Sequence, residues 1–177
     1  MYKARKYVTK KGLLDLYHSY IYPYLIYCIE SWGNASACHL DTLYLLQKKI
    51  VRIINFSNYD THTLPLFKNM NILPIDKVVI HRIGMFMFKY YNGTLPQVMN
   101  NLYIPNSEIH SYRTRQSNLL HIKKGKLNVY TKSFGNTSAR VWNVIQRKIN
   151  INVSASTFKR SLKSYLIDHS LELMYPK

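Results

Sequence analysis

Acidic side chains are the scarcest resource in this sequence. Eight Asp and Glu stand against 25 Lys and Arg in 177 residues, a net charge of +17. The eight are Asp15, Glu30, Asp41, Asp60, Asp76, Glu108, Asp168 and Glu172, and no two lie within three residues of each other. Polymerases and many nucleases hold two metal ions between clustered carboxylates. This spacing offers no such cluster, and no catalytic residue is assigned. The 6 glycines form no Gly-x-x-x-x-Gly-Lys loop and no Gly-x-Ser-x-Gly elbow, so neither a phosphate cradle nor an esterase nucleophile is expected. The 7 histidines make no His-Glu-x-x-His pair and the 2 cysteines no Cys-x-x-Cys, so no metal and no cofactor is expected. Cys28 and Cys38 cannot form a disulfide framework. Cys28 reads as a buried thiol on an apolar helix face.

Long apolar runs are missing too. The most hydrophobic window, Leu13 to Ile29, is broken by Asp15, His18, Ser19 and Pro23, too short and too polar to span a bilayer. The opening residues MYKARKYVTKKG lack the apolar stretch of a secretory signal. The expectation is a soluble intracellular protein of the nucleus or cytoplasm, with no membrane partner.

What is present is helix pattern and positive charge. Hydrophobic residues make up 47% of the chain, enough to bury a core. Thr9 is placed to cap a first helix whose stripe reads Leu13, Leu16, Tyr17, Tyr20, Tyr24 and Cys28, with a kink or split at Pro23. Trp32 sits near its end, before a turn at Gly33 and Asn34. A second helix, about His39 to Phe56, carries Leu40, Leu43, Leu46, Ile50 and Ile53 or Ile54 as its apolar stripe. Lys48, Lys49 and Arg52 fall on one arc of its other side. That arc is either a solvated face or a phosphate contact. The basic residues 1 to 11 are either a frayed tail or an arm on a phosphate backbone. A short helix opens at Thr63. A third long helix, from Pro74 to Asn92-Gly93, is apolar nearly all round and is expected to be the most buried. On it, His81 reads as a packed or partly exposed histidine rather than a ligand. A short helix follows from Leu95 to Leu102.

From Tyr103 the composition shifts. Between Ile109 and Ile167 there are 12 Lys or Arg and no Asp or Glu: Arg113, Arg115, Lys123, Lys124, Lys126, Lys132, Arg140, Arg147, Lys148, Lys159, Arg160 and Lys163. A basic stretch with no compensating acid points to a polyanionic partner, nucleic acid first. Ser111 to Ser117 reads as extended. Leu127 to Phe134 reads as a strand pairing with that segment or with Leu119 to Ile122. Two helices then follow, one carrying Val141, Trp142 and Ile145, the last running from Ser156 to Ile167. The expected fold is mainly α: a helical bundle over 1–102, then a smaller basic α+β segment over 103–177 with a short β-hairpin. The candidate nucleic-acid-binding residues are Lys48, Lys49, Arg52, Arg113, Arg115, Lys123, Lys124, Lys126, Arg140, Lys159, Arg160 and Lys163.

Several blocks, in order, carry a resemblance. They are Leu16-Tyr17-His18-Ser19-Tyr20-Ile21-Tyr22-Pro23-Tyr24-Leu25 with Trp32-Gly33, then Leu45-Leu46-Gln47-Lys48-Lys49-Ile50-Val51-Arg52-Ile53-Ile54. Pro65-Leu66-Phe67 with Asn71-Ile72-Leu73, Phe88-Lys89-Tyr90 and Leu95-Pro96 follow. Last come His110-Ser111-Tyr112-Arg113-Thr114-Arg115, Ala139-Arg140-Val141-Trp142-Asn143 and Phe158-Lys159-Arg160. Over roughly residues 10 to 168 this wording resembles the C-terminal part of the reverse transcriptase (RNA-directed DNA polymerase) of jockey-like, non-LTR retrotransposons. The family's Tyr/Phe-Ala-Asp-Asp catalytic loop has no counterpart here. The resemblance therefore implies a thumb-like helical element and a basic tail without polymerase activity. The implied partners are RNA or an RNA–DNA hybrid and a polymerase palm and fingers domain. The alternative is an inert or interaction-only remnant of a truncated retroelement polyprotein.

Overall fold

A computed structural model describes residues 1–109, 112 and 114–169. The helices among them are α1 (Lys10–Leu16), α2 (Tyr22–Ile26), α3 (Ile29–Trp32), α4 (Ala37–Ile54), α5 (Thr63–Asn69), α6 (Ile75–Tyr91), α7 (Asn106–Ile109), α8 (Asn128–Thr131), α9 (Phe134–Lys148) and α10 (Ala155–Asp168). The chain divides into two compact units, Met1–Val79 and Ile80 onward. The composition shift at Tyr103 concerns charge, whereas this division concerns packing.

In the first unit, Thr9 accepts a bond from the Gly12 amide at 3.4 Å and starts α1. The N-terminal segment forms a 3-10 turn, Ala4–Lys6. The Arg5 guanidinium lies 5.0 Å over the Phe56 ring, and Lys10 donates to Asn55 Oδ1 at 2.6 Å. Proline has no N–H, so Pro23 leaves the Ser19 carbonyl without its helical donor. The backbone answers with a π turn, Tyr17–Ile21, closed by Tyr22 N–H to the Tyr17 carbonyl. Pro23 then takes the first turn of α2, where no donor is needed.

That π turn adds a residue and shifts the helix face by about 100°. Leu13 and Tyr17 point inward as expected, but Tyr20 and Tyr24 are 68% and 81% exposed. Cys28 is exposed as well, correcting the expectation of a buried thiol: the helix stops at Tyr27, and Cys28 adopts φ 47°. Ser36 precedes α4, whose inward residues are Leu40, Gln47, Val51 and Ile54. Leu46 is half exposed, and the stripe runs one position further on than hydrophobicity alone suggests. Leu13, Tyr17, Val51, Ile54, Leu66, Phe67, Met70 and Ile72 form the core of this unit. Fully burying such a side chain is worth about 1.5–3 kcal/mol.

Helices α4, α5 and α6 end alike. The second residue past each helix is left-handed: Phe56 (φ 56°), Asn71 (φ 53°) and Gly93 (φ 63°). In α6, Gly93 N–H bonds the Tyr90 carbonyl and Thr94 N–H the Lys89 carbonyl, and the same pair of bonds recurs at Asn71–Ile72 and Phe56–Ser57. Gly93 and Asn71 suit the conformation, whereas Phe56 is strained there.

In the second unit the core is aromatic. Phe88 stacks on Phe158 at 4.4 Å and Tyr91 on Trp142 at 4.9 Å, while Phe86 meets Phe134 edge-on at 5.1 Å. Gly84 permits this closeness. A Cβ there would stand 2.7 Å from Leu162 Cδ2 and 2.9 Å from Ile145 Cδ1. Ser154 caps α10, which buries Phe158, Leu162 and Leu166. The expected short helix at Leu95–Leu102 is only a 3-10 turn, Gln97–Met99.

The expected β-hairpin does not form. The stretch read as its strand, Leu127 to Phe134, contains α8 and the first residue of α9. Among the described residues the only β-pairing is an isolated bridge between Pro105 and Leu120. Residues 119–123 are instead held against α9 by two asparagine side chains. Asn143 accepts from Leu120 N–H and donates to the Leu120 carbonyl, both at 2.9 Å. Asn136 does the same at Lys123, at 3.0 and 3.1 Å, and also donates to the Tyr130 carbonyl at 2.9 Å. Each side-chain amide presents the donor–acceptor pair that a neighbouring strand would. The segment is extended without a sheet.

Candidate nucleic-acid interface

The amphipathic character of α9 sets the site. Its inner face carries Val141, Trp142 and Ile145 into the core. Arg140, Val144 and Arg147 share a different side, being spaced by four and three residues. The 119–123 segment, tied down by Asn143 and Asn136, runs alongside. Between them lies an open groove of about 750 Å³. Arg115 and Lys124 line it from the segment and Arg140 and Arg147 from α9, with His121 and Gln116 as further polar groups and Leu119, Ile122 and Val144 as apolar lining. Among the described residues, no acidic residue lines it. His121 also bonds Asn106 Oδ1 at 3.3 Å, which fixes its ring between the groove and a smaller cavity of about 170 Å³. Lys123 belongs to that smaller cavity, beside Tyr103, Tyr130 and Ser133.

The structure brings together Arg115, Lys124 and Arg140 from the expected set, and adds Arg147. Arg113 lies outside the described residues. Lys126, Lys159 and Arg160 are exposed and line neither cavity, and Lys163 is half-buried. Burial pushes the Lys163 ammonium below its ordinary pKa, with Lys159 adding repulsion. In the first unit, Lys49 is exposed. The Lys48 ammonium sits 4.2 Å over the Tyr44 ring. Arg52 donates from Nε to the Thr61 carbonyl at 2.9 Å and lies 5.8 Å from the Tyr59 ring, holding the loop after α4. Two of these three cations therefore already have local partners.

The polar side chains of Gln47 and His81 are buried: the burial of Gln47 was not legible, whereas His81 already reads as a packed histidine. Gln47, 1% exposed, donates to Tyr17 Oη at 3.0 Å and to the Leu73 carbonyl at 2.9 Å, while its Oε1 has no protein partner. Burial pushes the Tyr17 hydroxyl up to about 12, against the pull of the Gln47 bond. His81 is 5% exposed, and its Nε2 lies 3.4 Å from the Lys159 carbonyl. Burial lowers its imidazole to about 4. The Lys159 carbonyl pulls the other way, and the cations of Lys159, Arg82 and Lys163 push it further down.

Among the described residues no group of three or more His, Cys, Asp or Glu gathers where a metal ion could be held. Among them, no helix is long and apolar enough to cross a membrane. No family model matches the chain, and no curated protein and no solved structure is similar to it.

Proposed function

We propose that this chain is a non-catalytic, sequence-tolerant nucleic-acid-binding module of the nucleus or cytoplasm, resembling the region that follows the palm in a jockey-like reverse transcriptase. The observation that carries the reading is the groove of the second unit, where Arg115, Lys124, Arg140 and Arg147 converge with no carboxylate among them. Four uncompensated cations around one concavity focus a positive field on whatever enters it. Flanking Lys123, Lys126 and Lys148 are exposed and extend that field. Lys and Arg that neutralise phosphates release condensed counterions, so affinity falls with salt at a log–log slope of about −0.9 per contact on duplex and about −0.7 on single strands. Filter binding of RNA and of an RNA–DNA hybrid across a salt series tests this. A steep salt-dependent loss is expected, and binding that ignores salt, or none, rejects it.

A second reading, an interaction-only remnant, has its own support. Tyr20, Tyr24 and Tyr27 are each more than two-thirds exposed, and Leu45 and Leu46 on α4 are at least half exposed. A palm and fingers domain is the partner this reading names. Sedimentation of the isolated chain separates the two: self-association through sticky apolar surface favours the remnant, and a salt-insensitive monomer weakens it.

A further inference from the structure

The rim and the floor of the groove differ in chemistry. Arg115, Lys124 and Arg147 are exposed and Arg140 is half-buried, while the half-buried Leu119, Ile122 and Val144 give the groove an aliphatic lining. We propose that the groove takes single-stranded nucleic acid with its bases turned onto the aliphatic floor and its phosphates on the cationic rim. This rests on the function proposed above and narrows it. A duplex keeps its base faces stacked and offers a protein only phosphates and groove edges. It would satisfy the rim and leave Val144 and Leu119 facing water. A single strand exposes charge and flat apolar faces together, and matches both surfaces at once.

The dimensions agree. A cavity of about 750 Å³ lies within the range that encloses small ligands rather than double helices. Arg140 and Arg147 stand two turns apart on α9, about 10.5 Å along its axis, so they meet separate phosphates. Among the described residues, no Phe, Tyr or Trp lines the groove. Base faces therefore meet methyl groups and guanidinium planes, which hold any base and select none. The wall opposite α9 is fixed in place, because both backbone groups of Leu120 and of Lys123 are occupied by Asn143 and Asn136.

The test is fluorescence anisotropy of the whole chain with a short oligouridine and with a hairpin duplex of equal phosphate count, between about 50 and 200 mM salt. The single strand is expected to bind about tenfold tighter than the duplex, roughly the effect of burying one aliphatic side chain. Arg140→Gln with Arg147→Gln is expected to weaken binding and flatten the salt slope. Val144→Gln is expected to weaken single-strand binding and leave the slope unchanged. A strand carrying 2-aminopurine gives a readout on the unaltered protein, since a base withdrawn from its neighbours brightens. If the duplex binds as tightly, or the 2-aminopurine signal does not change, the single-strand assignment falls while the nucleic-acid reading survives through the salt slope. If neither ligand binds in a salt-dependent way, both fall together.

Discussion

The two units bury comparable helical cores yet present different surfaces. Met1–Val79 carries ten Lys or Arg against five Asp or Glu, a net of +5. From Ile80 to Lys177 there are fifteen against three, a net of +12. In the first unit the cations have local work: Arg5 on Phe56, Lys10 on Asn55, Lys48 on Tyr44, Arg52 on Thr61. In the second, Arg115, Lys124, Arg140 and Arg147 collect around one groove with no carboxylate among its described lining residues. The count of basic residues is therefore a poor guide to a binding face. What matters is whether each cation already has a partner.

The buried amides sharpen the contrast most. Asn143 pairs both its amide ends with the Leu120 backbone, so Asn143→Leu strands a buried N–H and C=O and is expected to cost about 4 kcal/mol. Gln47 already has a bare Oε1, so Gln47→Leu removes one orphan while creating others, and is expected to cost about 1 kcal/mol. Urea unfolding of each variant compares them, and equal losses would erase the distinction. Next in size is a pH effect. His81 is neutral when folded and titrates near 6.5 when unfolded. Its stabilisation is complete above 6.5 and is lost as pH falls from about 6.5 to about 4, on the order of 3 kcal/mol. Thermal melts across that window are expected to flatten in His81→Leu. Third, Arg140→Gln with Arg147→Gln removes two phosphate contacts, each worth about fivefold in affinity at 0.1 M salt on a single strand. Lys48→Gln with Lys49→Gln in the first unit is expected to change affinity less than twofold, by salt-series binding. Parity between the two pairs would break the contrast. Smallest is Ser154→Ala, which deletes the α10 cap for about 1 kcal/mol, read from the melting temperature.

The parts of the fold that follow from local chemistry were legible. Thr9 as a cap, Gly93 as a helix end and the long buried α6 all rest on periodicity and capping rules. What was not legible is where polar side chains act as structure. Asn136 and Asn143, seven apart on α9, look like solvated positions in any reading that sorts residues by hydropathy. They turn out to replace the strand partner that Leu127 to Phe134 was expected to supply. The one available hint was two asparagines on the inward side of a helix otherwise lined by Val141, Trp142 and Ile145. Arg147 shares a helix side with Arg140 by its spacing of seven, but only the structure shows that the groove opens along that side. The outward turn of Tyr20 and Tyr24 was hidden because the added residue of a π turn leaves no mark in hydrophobic spacing except Pro23.

That added residue makes the first helix a phase-sensitive device. Excising Ser19 and replacing Pro23 by alanine would let the Tyr17–Ile21 segment rewind into regular helix, and everything beyond it would rotate by about a quarter turn. Tyrosines that now meet solvent would swing towards the core. In this stretch the identity of the surface is written in chain length rather than in side-chain chemistry.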